Sequence, residues 1–71
     1  QAAGRKWFVE GNAAYDQGEF VTAARAFEAS DREAPHPAAV YNAGRAWQSA
    51  GERTRAADKY AAALSQIGLR V

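Results

Sequence analysis

Apolar residues return along this chain at helical spacing. Between Arg5 and Gln17, the residues Phe8, Gly11, Ala14 and Tyr15 share one side of a helix, and Gly18 stands where helices commonly end in a left-handed residue. From Phe20 to Glu33 the next stripe is Phe20, Ala23, Ala24 and Phe27, with Ala34 at its edge. Pro35 and Pro37 close that helix, because an interior proline costs about 3 kcal/mol, so Pro35-His36-Pro37 is read as a corner. A third helix starts near Pro37, where a missing N–H does no harm in a first turn, and runs through Val40, Tyr41, Gly44 and Trp47 to Gly51. The fourth spans Arg53 to Gln66, with Ala56, Ala57, Tyr60, Ala63, Leu64 and Ile67 as its stripe. Alternation of apolar and polar residues is absent, and abundant Ala, which loses no rotamer freedom in a helix, favours helix throughout. The expected class is all-α.

The stripes also repeat. Gly11 and Gly44 are 44 − 11 = 33 residues apart, as are Gly18 and Gly51, Ala23 and Ala56, Phe27 and Tyr60, Phe8 and Tyr41, and the helix stops Pro35 and Gly68. The turns Gln17-Gly18-Glu19 and Ala50-Gly51-Glu52 are short, so each helix pair must fold back as an antiparallel hairpin. Gly11 and Gly44 each cost about 1 kcal/mol relative to Ala inside a helix, which suggests that another helix backbone crosses there. Ala23 and Ala56 would supply the small surface at that crossing, and Phe27 and Tyr60 would fill the wider gap beside it. A period of this size marks a stacked helical array whose units lean on one another and offer an extended surface to partners.

Composition limits the core. A 71-residue chain buries only about 60% of the surface its unfolded form exposes, and 19 of its residues are Ala, whose methyl contributes little. Packing therefore falls to Trp7, Phe8, Tyr15, Phe20, Phe27, Tyr41, Trp47 and Tyr60. Nine Lys and Arg against eight Asp and Glu leave a net charge of +1, too little to hold a polyanion, so nucleic acid is not an expected partner. With no cysteine there is no disulfide or thiolate site, and bacterial cytoplasm and periplasm both remain compatible. No apolar run approaches the ~20 residues that span a bilayer, so direct membrane insertion is not expected. The Gln1 start and the lack of Met suggest a processed product or a piece of a longer protein.

These residues resemble the tetratricopeptide repeat family, whose pattern places a bulky residue and a Gly in the first helix of each unit and Ala-x3-Phe, then Pro, in the second. The first unit reads Trp7, Gly11, Ala23, Phe27, Pro35, and the second Gly44, Trp47, Ala56, Tyr60. Departures are Glu10 at the usual Leu, Ala14 at the usual Tyr with Tyr15 one place later, Val40 at the Trp, and a period of 33 rather than 34. The match covers repeat 1 (about 4–36) and repeat 2 (about 37–69) of a single domain, 1–71. It implies two antiparallel helix-turn-helix hairpins stacked as a right-handed solenoid, with the first helices lining a concave groove for an extended peptide or partner helix. That groove would comprise Arg5, Phe8, Val9, Asn12 and Asp16 with Ala38, Tyr41, Asn42, Arg45 and Ser49. In the relatives that clamp the acidic carboxyl end of chaperones, two asparagines at places like Asn12 and Asn42 bind the terminal carboxylate. Phe8 stands where those relatives carry a basic residue, so the clamp is incomplete here. Asn12 and Asn42 are open to either ligand contact or an ordinary structural role, and Phe8 and Tyr41 to either groove floor or core.

Chemistry of other kinds finds little support. His36 lies between two prolines with no Cys or second His to complete a metal shell, and reads as a turn residue. The carboxylates, Glu10, Asp16 and Glu19 among them, occur singly on solvated faces, and there is no P-loop, GxGxxG or nucleophile turn. No cofactor, metal or catalytic residue is expected. The last helix carries Tyr60, Leu64 and Ile67, followed by Leu69, with no further unit after it, which predicts a self-association face and a possible homo-oligomer. The expected function is a non-catalytic protein-interaction scaffold, and the Ala- and Arg-rich, Cys-free style resembles bacterial proteins. Alternatives are a structural or oligomerisation spacer, or the regulatory arm of an enzyme whose catalytic domain lies outside this chain.

Overall fold

Four helices follow one another with only short links: α1 (Ala2–Asp16), α2 (Phe20–Glu33), α3 (Pro37–Ser49) and α4 (Arg53–Gln66). The computed structural model describes residues 2–68 and, of these, the side chains from Gly4 onward; no strand occurs among them. α1 packs on α2, α2 on α3 and α3 on α4, in a slab of 33 × 30 × 13 Å.

The two tight turns close by the same device. Gly18 and Gly51 adopt φ of +78° and +85°, a conformation in which a Cβ would clash with the following carbonyl. At the first turn the Glu19 N–H donates to the Ala14 carbonyl at 2.9 Å and the Gly18 N–H to Tyr15 at 3.0 Å. Glu52 to Trp47 (2.8 Å) and Gly51 to Gln48 (3.0 Å) repeat this at the second. These paired bonds satisfy carbonyls that a helix end otherwise leaves open. The corner at Pro35-His36-Pro37 uses another chemistry. Pro37 occupies the first turn of α3, the Ala38 N–H donates to His36 Nδ1 at 3.1 Å, and the His36 N–H donates to Asp31 Oδ1 at 3.1 Å. His36 is thus a helix cap.

The start of the first helix and the reading of Gly11 and Gly44 both change. The first helix begins at Ala2 rather than Arg5, and Gly4 lies buried inside it. There α1 closes on the end of α2: the Ser30 hydroxyl donates to the Gly4 carbonyl at 2.7 Å, and a Cβ on Gly4 would stand 3.0 Å from the Ala34 Cβ. At Gly11 and Gly44 the close neighbour is an aromatic ring and not a crossing backbone. A Cβ on Gly11 would meet the Phe27 ring at 2.7–2.9 Å, and one on Gly44 would meet the Tyr60 ring at 2.9–3.0 Å. Each second helix lays its large ring directly on the glycine of the first, so ring and glycine recur together at the 33-residue offset.

The core is thin and made mostly of methyls. Ala23, Ala24, Ala39, Ala43 and Ala46 are fully buried, and the large side chains that join them are Phe27 and Trp47. Trp47 ties three helices together: its Nε1–H donates to Glu28 Oε2 on α2 at 2.8 Å, while Arg25 and Arg55 lie over its ring at 5.6 and 4.8 Å. Lys59 on α4 reaches the same Glu28 oxygen at 3.3 Å. Trp7, expected to help carry the packing, is instead 43% exposed. Its counterpart one period on, Val40, lies against α2 and is buried, whereas no helix precedes α1 among the described residues. The same inequality holds at the far end. α2, held between two neighbours, buries six residues; α4, packed mainly on α3 and reaching α2 through Lys59 and Gln66, buries Ala56 and Ala63.

Candidate functional site

Side chains on the C-terminal halves of α1 and α3 join to make one surface. The Tyr15 hydroxyl and Ser49 Oγ are hydrogen-bonded at 2.9 Å, and the Arg45 guanidinium lies 5.3 Å over the Tyr15 ring, a favourable cation on a π face. Tyr15 in turn meets Phe20 edge-on at 5.1 Å. Phe8, half-buried, packs edge-on against Phe27 at 5.4 Å, and Tyr41 tilts against Tyr60 at the same distance. Phe8 and Tyr41 each pack on the ring that covers a glycine, and Tyr41 remains 52% exposed.

The expected polar residues are placed less tightly. Asn12 is exposed and Asn42 half-buried, and among the described residues neither amide side chain makes a hydrogen bond. Arg5 and Arg45 are exposed, and the ion pairs of the described residues, Arg55 with Glu52 and Lys59 with Glu28, leave both out.

Residues from the two expected sites meet in one cleft. An open apolar depression of about 660 Å³ lies between the start of α3 and the end of α4, lined by Pro37, Ala38, Tyr41, Tyr60, Leu64 and Ile67 among others. It unites Tyr41 of the expected groove with Tyr60, Leu64 and Ile67 of the expected self-association face; Leu69 lies outside the described residues. A second depression of about 370 Å³, lined by Arg5, Phe8, Ala34 and His36, shares Ala38 with the first. The two form a track across the open ends of both hairpins.

Tyr60 sits at the junction of these features. Burial, then the neighbouring Tyr41, pushes its phenol above the ordinary value of 10.0, with Arg45 acting in the opposite direction. Its hydroxyl donates to Gln48 Oε1 at 2.8 Å. Neither this bond nor the Tyr15–Ser49 bond was foreseen, and the second joins residues 34 apart, one off the period, so the repeat gave no signal for it. Among the described residues no group of three His, Asp or Glu is placed to hold a metal ion, and no helix is long and apolar enough to cross a membrane. No family model, curated protein or solved structure matches the chain.

Proposed function

We propose that the chain is a non-catalytic interaction module: two stacked hairpins of tetratricopeptide type, whose α1 and α3 present a shared binding face to a peptide or partner helix. The observation that carries this reading is the bridge from α1 to α3 through Tyr15, Ser49 and Arg45; Phe8 and Asn12 lie on the first of these helices and Tyr41, Asn42 and Arg45 on the second. Ring-on-glycine packing and glycine-closed turns, each repeated after 33 residues, support the family resemblance. An exposed aromatic and arginine surface is also the composition in which interaction hot spots are enriched.

The test is selection of random peptides on the immobilised chain, followed by mapping of the selected sequences by amide chemical shifts. Selected peptides should shift α1 and α3, and the pair Asn12→Ala with Asn42→Ala should weaken them about tenfold, or 1.4 kcal/mol, with helicity unchanged. Failure of any peptide to be selected, or shifts that avoid α1 and α3, would refute the module.

A second reading, a spacer that associates through α4, is favoured by one observation: Ile67 is 56% exposed beside Leu64 at the open end of the cleft. It requires that Leu64→Asp abolish concentration-dependent sedimentation while groove substitutions leave it intact.

A further inference from the structure

The two depressions at the open ends of the hairpins are the same place in successive repeats. Gly4, Arg5, Phe8, Ser30 and Ala34 line the smaller one, and 33 residues on Pro37, Ala38, Tyr41, Ala63 and Ile67 line the larger. In the first hairpin the Ser30 hydroxyl ties α2 to the Gly4 carbonyl, and the segment that follows α2 borders the depression through His36 and Ala38. Ala63 has no hydroxyl with which to repeat that bond. The border does have counterparts: one period after His36 and Ala38 stand Leu69 and Val71, both apolar and both outside the described residues.

The chain leaves α4 by a different turn from the corner after α2. Ala34 leaves α2 in an extended conformation, φ −149°, whereas α4 ends on Gly68 at φ +86°, like the turns at Gly18 and Gly51. The Gly68 N–H donates to the Ser65 carbonyl at 3.1 Å, matching Gly18 to Tyr15 and Gly51 to Gln48. At those two turns the next N–H, of Glu19 or Glu52, reaches the carbonyl five residues back, and at the third turn the corresponding pair is Leu69 and Leu64. Helix ends of this form bring a hydrophobic residue after the glycine onto the side chain of that same partner. Glu19 and Glu52 are too polar to use such a contact, whereas Leu69 is suited to it and Leu64 lines the cleft. Side chains alternate along an extended segment, so Val71 shares the side of Leu69 and Arg70 takes the other.

From repeat position and turn geometry together, we propose that Leu69 and Val71 of this chain fill the α3–α4 cleft, Leu69 on Leu64 and Val71 toward Tyr41. The cleft is then an internal seat. The two apolar side chains leave water against an apolar lining and fasten the end of α4, which buries only Ala56 and Ala63. The assignment holds whether or not α1 and α3 bind a peptide, and it denies any such peptide the α4 side of Tyr41.

The test is nuclear magnetic resonance of the isotope-labelled 71-residue chain. Methyl protons of Leu69 and Val71 should show Overhauser contacts to Leu64, Ile67 and the Tyr41 ring at every protein concentration, and none between labelled and unlabelled copies. Joint Leu69→Ser and Val71→Ser should speed amide exchange over the last turn of α4, Ala63 to Gln66, by about tenfold, with α1 and α2 unchanged. Arg70→Ser, on the other side of the segment, should leave exchange as it is. Absence of the methyl contacts would overturn the proposal, as would contacts found only between copies, which would make a second copy the occupant. An equal effect from Arg70→Ser would do the same, as would a selected peptide that shifts Leu64 and Ile67 while Leu69 stays unmoved. Failure of the α1–α3 binding face is read separately, from random-peptide selection, and leaves these contacts untouched.

Discussion

Replacing Gly11 by Ala sets two known effects against each other at one atom. In a helix interior the change is worth about 1 kcal/mol of added stability, since Ala restricts the unfolded chain and Gly does not. Against it stands the new methyl, which would lie 2.7, 2.8 and 2.9 Å from three atoms of the Phe27 ring. That ring is 2% exposed and is held from another side by Phe8, so it has nowhere to retreat. Overpacking of a closed core costs about 1–3 kcal/mol, and three simultaneous contacts below 3 Å place this case at the upper end. The net expectation is a loss of about 1–2 kcal/mol, or a midpoint lower by roughly 4–8 °C per kcal/mol in a domain of this size. Gly44→Ala should cost less than about 1 kcal/mol, because Tyr60 is only half-buried and borders an open cleft into which it can tilt. Urea unfolding followed by far-ultraviolet circular dichroism would measure all three chains. The decisive control is Phe27→Leu: with the ring gone, adding Gly11→Ala should be neutral or stabilising by up to about 1 kcal/mol, a coupling that the double cycle isolates. A Gly11→Ala chain more stable than the parent, or an equal loss in both backgrounds, would refute ring-on-glycine packing as the reason for the glycine.

Three further outcomes follow from single contacts. Ser30→Ala removes the buried donor to the Gly4 carbonyl and should cost about 1–2 kcal/mol, with faster amide exchange in the first turns of α1 than in α3. Trp47→Phe takes the indole donor from Glu28, leaving it with Lys59, and narrows the surface under Arg25 and Arg55, for a loss of about 1–3 kcal/mol in urea unfolding. Tyr60 makes stability fall at alkaline pH. Its folded-state pKa is raised, so above about pH 10 the unfolded chain releases that proton first and binds fewer protons than the folded one, which lowers unfolding free energy as pH rises. Tyr60→Phe should flatten this decline between about pH 9 and 11 in urea midpoints, and an unchanged slope would exclude Tyr60 as its source.

Periodicity made most of the fold legible. Helix ends at Gly18, Gly51 and Pro35 rest on local backbone sterics that a single residue type declares, and the structure places helices accordingly. Gly11 and Gly44 were visible as close approaches, but the identity of the approaching group was not: whether ring or backbone meets a glycine depends on how deeply the second helix is seated. Gly4 escaped notice because its partner, Ser30, is 26 residues away and hydroxyls at that range carry no periodic signal. Trp7 was assigned to the core by its size, whereas its exposure is decided by which neighbour its face of α1 meets, and none of the described helices covers it. The cleft residues were foreseen separately, Tyr41 on one surface and Tyr60, Leu64 and Ile67 on another. Their union depends on how α3 and α4 seat against each other, which no stripe of apolar residues encodes.

The chain of packing, α1 on α2, α2 on α3, α3 on α4, joins each helix mainly to its neighbours in sequence. Short loops then close before distant segments must find one another, a topology of low contact order that assembles rapidly. It also grades the molecule from centre to edge. α2 and α3 each bury six residues, whereas α4 buries two alanines, so α4 should peel from α3 at lower cost than α2 or α3 opens. Exchange of its amides should therefore report a smaller opening energy than those of α2. The cleft is bounded by this least anchored helix, so its width is free to breathe on a timescale faster than global unfolding.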